Sequence, residues 1–247
     1  MRYFIRISFD GTDFHGWQVQ KNAHSVQAEL NKALEILLKK SEHETIGCGR
    51  TDTGVHAHKF YVHFDSEEIL NGDDLRHHLN SILPTSIAVH SIFKVPEDAH
   101  ARFSAISRTY QYRVYQNKNP FLRNWAYYFS SSIDLEKMNA LANSLKNHSD
   151  FSAFSKSRTQ TLTNLCSITF ANWELNDEEL VFTISANRFL RNMVRAIVGT
   201  LLNAGINKID ENDFLNILLS RKRSEAGKSV PAHGLYLTDI VYPFPVV

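Results

Sequence analysis

Arg2-Tyr3-Phe4-Ile5-Arg6-Ile7-Ser8-Phe9-Asp10 has a period of two. Tyr3, Ile5, Ile7 and Phe9 fall on one side, and Arg2, Arg6, Ser8 and Asp10 fall largely on the other, which predicts a half-buried strand. A turn-rich piece, Gly11-Thr12-Asp13 through Gly16, follows it. Across residues 25–40, Val26, Leu30, Ala33, Leu34 and Leu37 recur at helical spacing, with Ser25 placed to cap the first turn. Short strands over 45–49 and 59–64 flank a loop. A second helix over 73–83 stops ahead of Pro84, because the residue before a proline is pushed out of the helical region. A strand over 87–95 closes the order β-α-β-β-α-β, the ferredoxin-like arrangement.

A similar series recurs. Residues 108–116 alternate, with Tyr110, Tyr112 and Val114 on the apolar-leaning face and Thr109, Gln111 and Arg113 on the other. Helical spacing predicts a helix over 134–146, and strands follow over 167–175 and 180–186. Helices over 189–202 and 213–219 and a last strand over 235–242 complete the chain. The division falls near residue 105, giving α/β sub-domains over 1–105 and 106–247. No Pro-, Gly- or Ser-rich linker separates them, so their sheets are expected to join.

The 247 residues, 43% hydrophobic and 21% charged, are ordinary globular composition, which excludes a disordered or fibrous chain. Two cysteines, Cys48 and Cys166, are too few for a disulfide framework or a cysteine zinc site. The start has no long apolar run, so a cytoplasmic protein without a membrane anchor is expected. With 27 Lys and Arg against 26 Asp and Glu, the net charge is +1, which on its face argues against a nucleic-acid partner. The average hides an uneven distribution. From Arg188 to Lys228 there are eight Lys or Arg and four Asp or Glu.

Gly49-Arg50-Thr51-Asp52-Thr53-Gly54-Val55-His56-Ala57 is the most singular segment. Its glycines allow sharp turns or close approach to a ligand. Arg50, two residues before Asp52, is a cation able to keep that carboxylate ionised and nucleophilic; the plainer alternative is a simple Asx-turn. Over 187–195, Leu190, Met193 and Val194 are read as the buried side of a helix, with Arg188, Arg191, Arg195 and Asn192 as a polar stripe. Such a stripe suits phosphate or carboxylate, or is merely a solvated face. Arg221-Lys222-Arg223 is a further basic run. Tyr110 is either core or an aromatic plane for an extruded base. His56 and His58 are read as facing opposite sides of their strand, which with no completing ligand argues against a metal site. No Walker or Gly-x-Gly-x-x-Gly loop signals a nucleotide cofactor.

These segments resemble the TruA type of tRNA pseudouridine synthases. The resemblance rests on Phe9-Asp10-Gly11-Thr12 with Gly16-Trp17-Gln18-Val19-Gln20, on the Arg50–Ala57 block, and on His100-Ala101-Arg102-Phe103-Ser104-Ala105 leading to Arg108-Thr109-Tyr110. Asp150-Phe151-Ser152-Ala153-Phe154, the stretch 189–195, and Pro231-Ala232-His233-Gly234-Leu235-Tyr236-Leu237 complete six ordered matches across nearly the whole chain. The resemblance implies isomerisation of uridine to pseudouridine at tRNA positions thirty-eight to forty, in the anticodon stem-loop. It implies Asp52 as the catalytic aspartate, Arg195 as its basic partner and Tyr110 packed on the target base. Arg50, Arg102, Arg188, Arg191 and Leu235 are implied as further substrate-binding residues. A homodimer is implied, with no metal, organic cofactor, membrane or DNA partner. The implied fold is α+β, two ferredoxin-like halves forming a mixed, mostly antiparallel sheet with a central cleft. Residues 155–164 are less basic than in many relatives, which bears on RNA contacts more than on chemistry. The rival readings are a non-catalytic RNA-binding module and a metal-assisted hydrolase using His56 and His58.

Overall fold

A computed structural model describes residues 1–39, 44–156 and 162–246. Lys40, the last residue of the expected first helix, and residues 157–161 of the polar stretch lie outside them. The chain is mixed α+β and falls into two compact units, Met1–Ile106 with Tyr236–Val247, and Ser107–Leu235. The sequence reading assigns 236–247 to the second half; in the structure these residues pack in the first unit.

In the first unit, β1 (Arg2–Phe9) is central, antiparallel to both β3 (His56–Asp65) and β4 (Ile87–Val95). Both faces of β1 are covered, because Phe4, on the side that otherwise carries Arg2, Arg6 and Ser8, is fully buried. Its ring meets Tyr242 and Phe244 edge-on at 5.3 and 5.8 Å, so the returning C-terminal segment closes that face. Strand β2 (Ile46–Gly47) pairs antiparallel with the far end of β3, Ile46 opposite His63. The order β4-β1-β3-β2 is the ferredoxin-like one. The near end of β3 pairs in parallel with β9 (Leu235–Val241), His56 opposite Tyr236 and Ala57 opposite Leu237. Helix α1 (Val26–Leu38) begins at Ser25, whose side chain accepts the Ala28 N–H, and buries Val26, Leu30, Ala33 and Leu34. Helix α2 (Gly72–Ile82) packs on β4, capped by Asn71, with Asp73 and Asp74 favourably placed in its first turn.

In the second unit, β5 (Ser107–Tyr115), β8 (Glu179–Ala186) and β7 (Ile168–Asn176) form an antiparallel sheet. The short β6 (Tyr127–Tyr128) adds in parallel to β5. Helix α3 (Leu135–Ser144) packs against β7 and against α4 (Met193–Gly205). Helix α5 (Glu211–Ser220) starts with a reciprocal capping box between Asp210 and Asp213.

Helix α4 departs from the sequence expectation in two ways. It begins at Met193, not at 189, because Asn192 sits in the left-handed region at φ +67° and the Met193 N–H closes a turn on the Leu190 carbonyl. It is also buried nearly all round, so the expected polar stripe does not exist as a helix face. Arg188 and Arg191 precede the helix, and Arg195 is the one cation within it.

Candidate active site

The Asp52 loop is clamped from beneath by the turn-rich segment after β1. The Val55 N–H returns to the Asp52 carbonyl at 3.2 Å, closing a turn through Gly54, whose φ of +77° suits glycine. The Gly54 N–H donates to the Phe14 carbonyl at 3.2 Å, and the Phe14 ring is buried. A β-carbon at Gly11 would lie 2.0 Å from the Val55 carbonyl oxygen, so the two backbones touch. His56, buried, holds the same junction. Its Nδ1 lies 3.1 Å from the Gly11 nitrogen and 3.0 Å from Asp10 Oδ1. One nitrogen serves one role at a time: without a proton Nδ1 accepts the Gly11 N–H, and with a proton it donates to Asp10. Asp10 Oδ1 also accepts from Thr12 N and Thr12 Oγ1, at 3.0 and 2.6 Å. The result is a rigid loop with Asp52 partly exposed and Arg50 exposed on its rim. The Thr51 hydroxyl beside them is buried with no hydrogen-bond partner among the described residues.

The histidine reading needs correction. Residues two apart on a strand share a face. His56 and His58 both stack on Tyr236, at 4.7 and 5.1 Å between ring centroids. The register supplies the reason, since Tyr236 of β9 lies directly opposite His56. Among the described residues no group of three or more His, Cys, Asp or Glu is placed to hold a metal ion.

Arg102 stands exposed on a turn of the first unit, its guanidinium carbon 5.5 Å from the centre of the Phe103 ring. That turn is held by side chains. Ala101 N–H donates to His63 Nδ1 at 3.1 Å, Tyr242 OH to the Ala101 carbonyl at 2.6 Å, and Arg2 Nη1 to the Ala99 carbonyl at 3.0 Å. Burial, with Arg2 and His100 nearby, pushes the His63 pKa down to about 4, so the imidazole is neutral and its lone pair is available for that bond.

In the second unit Tyr110 lies on β5 opposite Ile184, half-buried, with its ring edge-on to Phe189 at 5.1 Å. Tyr112, two residues on, is core, and its hydroxyl donates to the Pro231 carbonyl at 2.8 Å. Burial raises its pKa. Tyr110 is therefore half-open on a strand face whose Tyr112 and Val114 are sealed. Arg195 is tied to the segment before β9, its Nε donating to the Val230 carbonyl at 2.7 Å while the Val230 N–H returns to the Arg195 carbonyl at 3.2 Å. His233 lies near this group; its pKa is lowered, by burial first and then by Arg195, against a raising backbone contact at Ala126. Arg188 is half-buried and close enough to Cys166 to oppose the burial that pushes that thiol to about 11. Arg191 has an exposed side chain, and its carbonyl accepts the Lys156 N–H at 3.0 Å. Leu235 is buried at the start of β9.

Sequence reading missed two supports, the clamp built from Asp10, Gly11, Phe14, Gly16 and His56, and the segment 226–230 that carries Val230. The paired glycines signalled the first, and nothing in the sequence signalled the second.

The family model for tRNA pseudouridine synthase matches residues 141–243. A tRNA pseudouridine synthase A of Bacteroides fragilis is 48% identical over 244 residues, covering 98% of this chain and 96% of that protein. One of Bacteroides thetaiotaomicron is 46% identical, covering 98% and 91%. One of Bacillus subtilis is 38% identical, covering 98% and 99%. The fold, the glycine-clamped aspartate loop and these likenesses define an isomerase that acts on tRNA and converts uridine to pseudouridine. The chain belongs to the tRNA pseudouridine synthase A family.

Proposed function

We propose that this isomerase acts on uridines at positions thirty-eight to forty of the tRNA anticodon stem-loop, with Asp52 as the catalytic nucleophile. It works as a homodimer in the cytoplasm. The observation that carries the reading is the Asp52 loop itself, locked by Gly11, Phe14, Gly54 and His56 so that a partly exposed carboxylate is presented on fixed backbone. Fixed presentation is what a positioned nucleophile needs.

The reaction is an isomerisation with no net gain or loss of atoms. The C1′–N1 bond breaks, the base rotates, and a C1′–C5 bond forms. C5 gives up its hydrogen as a proton, and N1 is left protonated. A carboxylate serves this chemistry by attacking sugar or base, or by promoting loss of a ribose proton. The target base must leave its stack, and Tyr110 supplies a half-open aromatic face for it. Arg195 acts as the basic partner of Asp52, while Arg50, Arg102, Arg188 and Arg191 meet RNA phosphate or the displaced nucleotide. Supporting that assignment, Arg50, Arg102 and Arg191 have exposed side chains.

The test is tritium release from C5-labelled uridine in unmodified tRNA transcripts, followed by mapping of each modified position. Release confined to positions thirty-eight to forty is the expected result. Release from other positions only would contradict the assignment, and no release from any tRNA would favour the binding-module reading.

A further inference from the structure

We propose that Arg223 is a positioning residue for Arg195, acting through the strap of residues 226–230. The inference rests on the reading of Arg195 as the partner of Asp52.

Arg223 belongs to the basic run Arg221-Lys222-Arg223, which by composition alone suggests a surface for RNA. Its side chain instead turns onto its own chain. Nη1 donates to the carbonyls of Ala226 and Gly227 at 3.3 and 3.1 Å, and Nη2 donates to Ser229 Oγ at 2.7 Å. A planar guanidinium reaching three oxygens on one short segment fixes that segment's shape, which an ammonium point charge does less well. Arg221, its neighbour, pairs with Asp150 at 2.9 Å.

The strap lies directly on α4. The Gly227 N–H donates to Thr200 Oγ1 at 2.9 Å, and a β-carbon at Gly199 would come within 1.9 Å of the Lys228 carbonyl oxygen. Ser229 Oγ, held by Arg223, is also bonded by Asn192 Nδ2, and Asn192 is the left-handed residue that sets where α4 starts. The next residue, Val230, accepts the Arg195 Nε proton at 2.7 Å. Fixing Nε fixes the plane of the guanidinium, and hence the directions in which Nη1 and Nη2 point. The path from Arg223 to Arg195 runs through two adjacent residues, Ser229 and Val230.

The full-length protein carrying Arg223→Gln, Arg223→Lys, Ser229→Ala, Arg195→Lys or Arg223→Gln with Arg195→Lys is assayed by tritium release, with thermal midpoints measured alongside. Arg223→Gln is expected to lower kcat roughly tenfold, since about 1 Å of misplacement can cost about a hundredfold. KM should stay within about twofold, the pattern of an interaction used in the transition state. Ser229→Ala, the variant least able to disturb folding, should shift kcat in the same direction by less, and Arg223→Lys should recover part of it. The double variant should be no slower than Arg195→Lys, because both changes act on one group.

Unchanged kcat in Arg223→Gln and Ser229→Ala, where Arg195→Lys is slow, refutes the proposal alone. So does a double variant whose losses multiply. A raised KM with a flatter salt dependence would return Arg223 to a phosphate contact. Unchanged kcat in Arg195→Lys overturns the Arg195 reading, and this inference with it.

Discussion

Gly16 and Thr51 meet backbone to backbone. Gly16 holds φ at +89°, and a β-carbon there would lie 2.2 Å from the Thr51 carbonyl oxygen. Gly16→Ala faces two penalties at once, roughly 1–2 kcal/mol for the left-handed conformation and a clash with backbone, which cannot swing aside. The neighbour displaced is the residue before Asp52. We expect kcat to fall at least about tenfold by the misplacement argument, with tRNA affinity changed much less. Tritium release and filter binding on the same protein make the comparison; full kcat would mean that the loop's position does not govern the chemistry.

Tyr110 separates ring from hydroxyl. Tyr110→Phe keeps the face and the edge-on contact with Phe189, whereas Tyr110→Ala removes both. Base–aromatic stacking is worth about 1–3 kcal/mol, so the alanine variant should lose roughly 5- to 150-fold in kcat/KM. The phenylalanine variant should retain most of it. A phenylalanine variant as slow as alanine would move the phenol from packing to proton transfer.

Arg188 and Arg191 are tested through salt. If each meets a phosphate, alanine at either position weakens tRNA binding and lowers the slope of log affinity against log salt by about 1. An unaltered slope in both would contradict the phosphate assignment and leave Arg188 as a neighbour of Cys166.

His63 predicts an acid-side weakness. Its folded pKa, about 4, lies below the ordinary 6.5, so between these values the unfolded chain binds a proton that the folded one does not. The stability tied to neutral His63 is whole above pH 6.5, declines as pH falls through this window and is gone below about 4. Asparagine keeps an acceptor near the position of Nδ1 without titrating, so His63→Asn should lose less stability than the unaltered protein between pH 7 and pH 4.5. Urea midpoints at the two pH values decide it; equal losses would contradict the assignment.

Much of the fold was legible because its elements carry period and caps. The alternation of Tyr3, Ile5, Ile7 and Phe9, the Ser25 cap and the stop before Pro84 each reappear as built. Three features were not legible, each for a physical reason. Helix α4 starts late because one left-handed residue, Asn192, interrupts a sequence whose apolar spacing runs straight through it. The last strand pairs with β3 in parallel, and such long-range pairing leaves no local signature. His56 and His58 share a partner in Tyr236, a contact that only strand register reveals. Asp52 was legible as a candidate from the block around it, while its clamp depends on Phe14 and Gly16, some thirty-five residues away by the numbering.

Near-neutral net charge took on a narrower meaning as well. Arg2, Arg221 and Arg223 are engaged with Asp65, Asp150 and the strap, so part of the positive charge serves the fold. Arg50, Arg102 and Arg191 are exposed, and under the proposed reading it is these that meet RNA. A tRNA affinity that rests on few phosphates, and so falls only gently with salt, is the expectation.

The most direct measurement is tritium release by Asp52→Asn, run with tRNA binding on the same preparation. The account predicts that release is lost while binding is largely kept, because asparagine preserves size and polarity but not the nucleophile. Isomerisation at the unaltered rate would contradict it.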